Sequence, residues 1–471
     1  MNARAVVLLL FASSCAAPGQ PTLQDGPPLP AQTGWNAVSV ALPPHRHADA
    51  LLKDSPFGIN TALRGDAPDR DARIAAMQQA GIKWGRQDFP WSRIETSAGV
   101  YDFDAYDRLV DAFTKHGILI FGDLTGAPRF HDPRTPEGAE AYCAFARVCV
   151  KRYAGRVDLW QIWNEPNGGS WKGSPEEYAR MLAASGKAIH EANPAARVLA
   201  LNMAFCDVIW AERVMKLVPY DAFDIVCFHP YRAMGAPEEP FDWWELDQYV
   251  KSWHKNDLTA EYPLVKMTLE QQTDELIRVM SKFGAPKPLW ITEICWNTDL
   301  HPYGVSELRS AELLVRFYVT AIASRKIEKA FWWTLKDGGN LQFDKAQMVG
   351  LMRNDLQPKY AYYAYAVMTR MLEGKRWVRN DAWGPDIYAA VFADDAADEE
   401  TIVAWTPNNY AYVKITNNEK GVANYDLFGT KRVVEWNKQR TSNNTFPLGQ
   451  SPIYVVGPKG MKAGVRTNPG W

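Results

Sequence analysis

The fold is decided by the stretch Trp160-Gln161-Ile162-Trp163-Asn164-Glu165-Pro166-Asn167, in which a short apolar run ends in an amide, a carboxylate and a proline. The apolar run predicts a buried strand over residues 158–163, and Pro166 cannot continue its hydrogen-bond ladder. Glu165 is therefore expected at the C-terminal end of that strand. A glutamate there can simply cap the next helix or pair with a surface arginine. A second stretch of the same design, Pro288-Leu289-Trp290-Ile291-Thr292-Glu293-Ile294, favours paired carboxylate chemistry instead.

The chain from residue 51 to residue 374 alternates between strand and helix patterns. Besides the strand that leads to Glu165, seven strands are predicted, over residues 56–60, 82–88, 118–124, 198–203, 223–228, 289–292 and 329–335. The strand before Glu165 is then the fourth and the strand before Glu293 the seventh. Eight strand and helix pairs in sequence predict an α/β protein with a (β/α)8 TIM barrel, whose ligand site lies at the C-terminal ends of the strands.

The two ends of the chain predict further segments. Residues 1–17 join a basic start to an apolar run too short to span a membrane, which is typical of a secretory signal peptide. The residues before Cys15 resemble a bacterial lipoprotein processing box and predict a lipid anchor there; ordinary cleavage shortly after Cys15 is the alternative. Residues 18–50 are predicted to form a tether and lead-in to the barrel at 51–374. Short alternating runs over 375–471 predict a β-sandwich.

Composition and compartment limit the possible partners. A signal segment predicts export, either as an outer-membrane or cell-surface lipoprotein or as a periplasmic or secreted protein. The formal net charge of −2 over 471 residues gives no basic excess, so no nucleic-acid partner is expected. The cysteines form no CxxC pair and no His/Cys cluster of metal-ligand spacing. We therefore expect buried free thiols, no structural metal and no cofactor.

The two strand-end glutamates would face each other across the mouth of the barrel. Carboxyl groups about 5 to 5.5 Å apart suit a retaining glycosidase, in which one acts as acid/base and the other as nucleophile. Cleavage would then run through a covalent glycosyl-enzyme. For this chemistry Glu293 must start ionised and Glu165 protonated, so their surroundings are expected to separate the two pKa values.

Several motifs together resemble one group of enzymes, the clan A glycoside hydrolases, and most of all family 39 and its relatives. The matching segments are Gly58-Ile59-Asn60, the run from Trp84 to Glu95, Gly99-Val100-Tyr101-Asp102-Phe103 and Trp163-Asn164-Glu165-Pro166-Asn167, together with Glu293 at strand seven. The resemblance covers the barrel and the trailing sandwich.

The resemblance implies roles for individual residues. Glu165 is similar to the acid/base of the clan and Glu293 to its nucleophile. Asn164 resembles the amide that hydrogen-bonds the sugar's 2-hydroxyl. Arg86 resembles the arginine beside the nucleophile, whose positive charge keeps that carboxylate ionised.

Five further side chains near strand ends are candidates for contact with the sugar: His229, Tyr231, Trp333, Asp88 and Asp123. For His229 and Tyr231 a purely structural role is an equal alternative. Trp333 resembles the tryptophan that floors the sugar subsite, and strand alternation allows only one of Trp332 and Trp333 to point into the barrel. We favour Trp333.

The resulting prediction is a retaining β-glycosidase that acts on an oligo- or polysaccharide. Resemblance to family 39 implies a β-xylosidase-like exo-enzyme. An endo-acting hydrolase of a polysaccharide or exopolysaccharide, a transglycosylase and a non-catalytic carbohydrate-binding lipoprotein are the alternatives. A long connection over residues 230–265 carries Trp243, Trp244, Tyr249 and Trp253; it would wall a cleft or form a small packed subdomain.

Overall fold

A computed structural model of the chain describes residues 53–240, 266–344, 346–394, 396–408, 410–416, 422–431 and 445–465. Outside these ranges lie the predicted signal peptide, Cys15, the tether, the four aromatic residues between 243 and 253, and parts of the predicted sandwich region. All described residues belong to one compact unit. Within them, no helix has the length and apolar character needed to cross a membrane.

Within the described ranges, ten strands precede the C-terminal region. They are β1 (Phe57–Asn60), β2 (Trp84–Pro90), β3 (Glu95–Ser97), β4 (Val100–Tyr101), β5 (Leu119–Thr125), β6 (Leu159–Ile162), β7 (Arg197–Ala204), β8 (Ile225–His229), β9 (Leu289–Ile294) and β10 (Ile327–Trp332). All except the β3–β4 hairpin join one closed parallel barrel, in the order β1, β10, β9, β8, β7, β6, β5, β2. The predicted (β/α)8 barrel is confirmed.

Nine α-helices connect and cover these strands. They are α1 (Arg70–Gln79), α2 (Trp91–Ile94), α3 (Asp104–Lys115), α4 (Pro136–Tyr153), α5 (Pro175–Ala192), α6 (Val208–Met215), α7 (Leu269–Met280), α8 (Glu307–Ser324) and α9 (Tyr360–Leu372), as far as the described ranges extend. Local sequence sets their starts. At α5, Ser174 Oγ accepts a hydrogen bond from the backbone N–H of Glu177, whose side chain accepts one from the backbone N–H of Ser174. This capping box satisfies two N–H groups that the helix leaves unpaired.

An apolar layer fills the barrel below its mouth. It consists of Trp84, Phe121, Leu199, Ile225, Cys227, Trp290 and Phe331, all buried. The ring centroids of Phe121 and Phe331 lie 5.0 Å apart across the barrel. Because side chains alternate along a strand, the residues two positions after Trp84 and Phe121, namely Arg86 and Asp123, face the C-terminal mouth. All five described cysteines are buried free thiols, as predicted.

The C-terminal region forms two antiparallel sheets. Its strands are β11 (Arg376–Asn380), β12 (Tyr388–Asp394), β13 (Glu399–Trp405), β14 (Ala411–Ile415), β15 (Ala423–Tyr425), β16 (Thr445–Leu448), β17 (Ile453–Pro458) and β18 (Ala463–Val465). One sheet has the order β11, β12, β13, β17, β15, and the other the order β16, β14, β18. Val391 and Ile402 of the first sheet share a core with Val413 and Phe446 of the second. The predicted all-β sandwich is confirmed.

Candidate active site

Glu293 reaches the barrel mouth through an irregularity in β9. Between β9 and β10, Ala330 pairs with Ile291 but Trp332 pairs with Ile294, so β9 carries one extra residue. An extra residue reverses the side-chain alternation beyond it. Thr292 and Glu293, although adjacent in sequence, therefore both make contacts inside the barrel: Thr292 Oγ1 lies 2.9 Å from His229 Nε2, and Glu293 Oε1 accepts a hydrogen bond from Arg86.

Glu165 is placed by a strained backbone at the end of β6. The φ angles of Trp163 and Glu165 are 63° and 44°, in the left-handed region that non-glycine residues rarely adopt. Asn202, at an extra residue in β7, holds this segment. Its Nδ2 donates to the carbonyls of Ile162, at 3.1 Å, and Trp163, at 3.0 Å, and its own carbonyl accepts from the Glu165 N–H at 3.1 Å. The bend that turns Glu165 into the site thus has its polar groups satisfied.

Arg86 is the hub of the buried polar network. Its side chain is 1% exposed. Nη1 donates to Glu293 Oε1, Nη2 to Asp123 Oδ2 at 2.8 Å and to Asn164 Oδ1 at 2.7 Å, and Nε to Gln161 Oε1 at 3.2 Å. The planar guanidinium can hold four partners in fixed directions, which fixes the relative positions of strands β2, β5, β6 and β9 at the mouth.

His229 lies between the two glutamates. Its Nδ1 is 2.9 Å from Glu165 Oε1 and 3.6 Å from Glu293 Oε2. Tyr231 OH donates to Glu293 Oε2 at 2.6 Å. One ligand atom from each of Glu165, His229 and Glu293 falls within 4.8 Å of the others. The structure therefore brings His229 into contact with both predicted catalytic carboxylates and Tyr231 into contact with Glu293.

The same three side chains could in principle surround a metal ion. Both oxygens of Glu293, however, already accept hydrogen bonds, one from Arg86 and one from Tyr231. A cation there would also meet the fixed positive charge of Arg86, which repels it. This donor set therefore does not fit a resident metal, and the chemistry below uses none.

The surroundings of Glu293 favour its ionised form. Burial alone would raise its pKa, but the neighbouring His229 and Arg86 and the hydrogen bond from Tyr231 hold the pKa of Glu293 below its usual range. Burial, together with Glu293, raises the pKa of the Tyr231 phenol well above its ordinary value, so Tyr231 stays a donor. The Glu165 side chain is 28% exposed, against 6% for Glu293, and so has access to an incoming ligand and to water.

The remaining predicted residues lie at the same mouth. Trp333 follows β10 directly and is partly exposed, whereas Trp332 is fully buried, with its ring centroid 6.0 Å from that of Trp296. Asp88 is on the face of β2 that carries Arg86 and pairs in register with Asp123 of β5.

Sequence reasoning missed two residues of the network, Gln161 and Thr292. Gln161 could have been found, because it is a polar residue on the inward-facing register of an otherwise apolar strand. Thr292 could not, because its contact with His229 and the inward position of Glu293 require the extra residue in β9, which has no marker in the local sequence.

Comparison with known proteins shows which proteins share this fold. Residues 64–128 match the family model described as Beta-galactosidase, of the glycoside hydrolase 42 type. The fold is that of family 39 glycoside hydrolases. The structure of a family 39 glycoside hydrolase from the gut symbiont Bacteroides cellulosilyticus WH2 matches with a TM-score of 0.72 at 19% identity, covering 86% of this chain and 81% of that chain.

Two further structures share the fold. A family 39 β-xylosidase from Caulobacter crescentus matches with a TM-score of 0.59 at 15% identity, covering 88% of this chain and 97% of that one. A family 30 endoxylanase from Clostridium papyrosolvens C71 matches with a TM-score of 0.55 at 12% identity, covering 86% and 96%. The predicted resemblance to the clan A glycoside hydrolases, and to family 39 and its relatives in particular, is confirmed.

Proposed function

We propose that this protein is a retaining glycoside hydrolase that cleaves β-glycosidic bonds, with Glu165 as acid/base and Glu293 as nucleophile. The separation of the two carboxylates carries the proposal. An oxygen of each lies within 4.8 Å of the other. Retaining enzymes hold their carboxyl groups about 5–5.5 Å apart, whereas inverting enzymes need about 6.5–9.5 Å to admit a water between carboxylate and sugar.

The contacts support a separate task for each side chain. In the first step Glu293 attacks the anomeric carbon, the bond to the leaving-group oxygen breaks, and Glu165 gives that oxygen its proton. In the second step Glu165 takes a proton from water, which attacks the anomeric carbon and releases Glu293. Arg86, His229 and Tyr231 keep Glu293 ionised and oriented. The Arg86 contact occupies Asn164 Oδ1 and leaves the Nδ2 group as a donor for the sugar's 2-hydroxyl.

The substrate is proposed to be a β-linked oligo- or polysaccharide, and a β-xylosidase-like exo-action is the first candidate. It is supported by the fold shared with a family 39 β-xylosidase. Endo-action on a polysaccharide is the second candidate. Phe130, in the connection after β5, is 47% exposed, and Phe343, in the connection after β10, is 70% exposed. Exposed rings beside a barrel mouth suit stacking against successive sugar units of a long chain.

The decisive experiment uses the Glu293→Ala variant with azide and a panel of aryl β-glycosides and β-linked polysaccharides. The unmodified protein should release products of retained configuration. The variant should lose activity by a factor of at least about 10⁴ and regain it with azide, giving an α-glycosyl azide, because azide fills the space left by the carboxylate.

Two further variants complete the experiment. Glu165→Ala should react with azide on substrates with good leaving groups to give the β-glycosyl azide, since the nucleophile is intact. Glu176→Ala, on exposed helix α5, should behave like the unmodified protein. Inverted products from the unmodified protein would contradict the retaining assignment. A protein that binds glycans but cleaves none of the panel would support the non-catalytic alternative.

A further inference from the structure

Two carboxylates beyond the catalytic pair stand side by side at the barrel mouth. Asp88 of β2 and Asp123 of β5 are register partners on neighbouring parallel strands. Both are on the inward face, since Arg86 precedes Asp88 by two residues and contacts Asp123 directly. The guanidinium of Arg86 donates hydrogen bonds to Glu293, Asp123 and two amide side chains. No described residue donates a hydrogen bond to the Asp88 carboxylate.

A buried polar atom beside this pair has no hydrogen-bond partner among the described residues. It is Asn60 Nδ2, a donor, on a residue that is fully buried. Asn60 is the register partner of Arg86 in the β1–β2 ladder, so it flanks the same wall of the mouth. Buried polar groups are nearly always hydrogen-bonded, and those that line a binding site are completed by the ligand.

The charges at this wall do not balance. Glu293, Asp123 and Asp88 face the single guanidinium of Arg86. Burial raises the pKa of Asp88 and, with Asp88 and Glu293 nearby, raises that of Asp123 to about 8, because these carboxyl groups outnumber their counter-charge. His229 contacts Glu165 and Glu293, on the other side of the site.

We propose that Asp88 and Asp123 form an acidic wall of the sugar subsite that selects sugar units rich in hydrogen-bond donors, favours an unacetylated amino sugar and rejects uronic acids. An ammonium group supplies both donors and a positive charge to the two carboxylates. The carboxylate of a uronic acid would face the like charge of Asp88 and Asp123. The inference rests on the proposed function only in taking a sugar as the ligand.

The test measures binding of three matched methyl β-glycosides, those of glucose, glucosamine and glucuronic acid, by calorimetry or NMR titration. The protein is the full chain with Glu165→Gln, a neutral substitute for the protonated acid that prevents turnover. The glucosamine derivative should bind more tightly than the glucuronic acid derivative by a factor of at least about ten at low salt. Added salt should reduce this ratio of affinities.

Asp88→Asn, added to this protein, should reduce that ratio to within about threefold, because it removes a negative charge that attracts the ammonium group and repels the carboxylate while the side chain keeps its size. Asp111→Asn, which removes a carboxylate on the exposed surface of α3, is the matched control and should leave the ratio unchanged. Equal or tighter binding of the glucuronic acid derivative, no binding of the glucosamine derivative, or an unchanged ratio in Asp88→Asn overturns the inference. Because binding is measured without turnover, such a result does not affect the azide experiment, which tests the proposed function independently.

Discussion

His229 Nδ1 lies 2.9 Å from Glu165 Oε1, and its opposite ring nitrogen, Nε2, lies 2.9 Å from Thr292 Oγ1. The imidazole is fully buried, so these two contacts and the approach of Nδ1 to Glu293 Oε2 determine its orientation. One ring thereby couples the ends of β6, β8 and β9. A group held between two carboxylates in this way affects both their geometry and their electrostatics.

We therefore predict that His229→Phe, which keeps a ring but removes both nitrogens, lowers kcat by about 100-fold. His229 helps to hold the pKa of Glu293 below its usual range, so its removal raises that pKa. Since Glu293 must be ionised to attack, the acidic limb of kcat/KM should move to higher pH. The pH–rate profile of the purified variant measures both effects.

The control for this prediction is Thr292, which positions His229 without contacting Glu165. Thr292→Val should lower kcat by about tenfold, and Thr292→Ser, which keeps the hydroxyl, should restore most of it. If His229→Phe kept the acidic limb of the unmodified protein, the ring would have no electrostatic influence on Glu293.

Arg86 gives the second prediction. Replacing it with methionine leaves Asp123 and Glu293 buried without their counter-charge, which should lower the free energy of unfolding by about 3–5 kcal/mol. Arg86→Lys keeps the charge but cannot make the four directed contacts. It should therefore be more stable than Arg86→Met but less active than the unmodified protein. Urea denaturation compares the stabilities.

The activity of these Arg86 variants has a separate expected signature. Loss of the guanidinium raises the pKa of Glu293, so the acidic limb of kcat/KM should shift to higher pH in Arg86→Met and less in Arg86→Lys. Equal stability of Arg86→Met and the unmodified protein would show that the buried carboxylates do not depend on this charge.

Much of this arrangement was predictable because it follows from regular strands. The alternation of apolar runs predicted the barrel, and Pro166 marked the place where the strand before Glu165 stops. Once eight strands were counted, the placement of Glu165 and Glu293 at one mouth followed from barrel topology. Arg86 was predicted from the resemblance to the clan A glycoside hydrolases, and Asp88, two residues later, lies on the same strand face.

The irregular parts were not predictable for a physical reason. The extra residues in β7 and β9 have no glycine to mark them, and the left-handed backbone at Leu201 and Asn202 is imposed by tertiary contacts with the end of β6. The strands β15 and β18 span only three residues each, too short for a periodic pattern to be read.

Asn202 gives the third prediction. Asn202→Asp is nearly isosteric but cannot donate to the carbonyls of Ile162 and Trp163, so it should lower the free energy of unfolding by about 1–3 kcal/mol. Because the same contacts hold the bend that presents Glu165, kcat should fall by about tenfold or more even where the variant is folded.

A comparison of substrates shows which catalytic step is slowed in Asn202→Asp. Substrates with poor leaving groups depend on protonation by Glu165 and should lose more rate in Asn202→Asp than substrates with good leaving groups. An equal loss on both kinds of substrate would indicate a general loss of packing and would contradict the role assigned to Asn202. Asn408→Asp, at an exposed position in the connection between β13 and β14, serves as the control.

The fourth prediction concerns the contact between the barrel and the C-terminal sandwich. Glu238, in the connection after β8, accepts hydrogen bonds at Oε1 from Arg316 Nε, at 2.7 Å, and from Trp405 Nε1, at 2.8 Å. The side chains of Arg316 and Glu238 are 0% and 3% exposed. Arg316→Met leaves a buried carboxylate without its partner and should lower the free energy of unfolding by about 3–5 kcal/mol, whereas Trp405→Phe removes one hydrogen bond and should cost about 1–2 kcal/mol.

The double variant Arg316→Met with Glu238→Gln tests whether charge is the cause. Removing both charges should recover a large part of the stability lost in Arg316→Met, since no buried ion is then left unpaired. The kcat of each variant, measured well below its unfolding temperature, should stay within about twofold of the unmodified protein, because none of the three side chains touches Glu165 or Glu293. A double variant no more stable than Arg316→Met would mean that the packing of these side chains, and not their charge, joins the sandwich to the barrel.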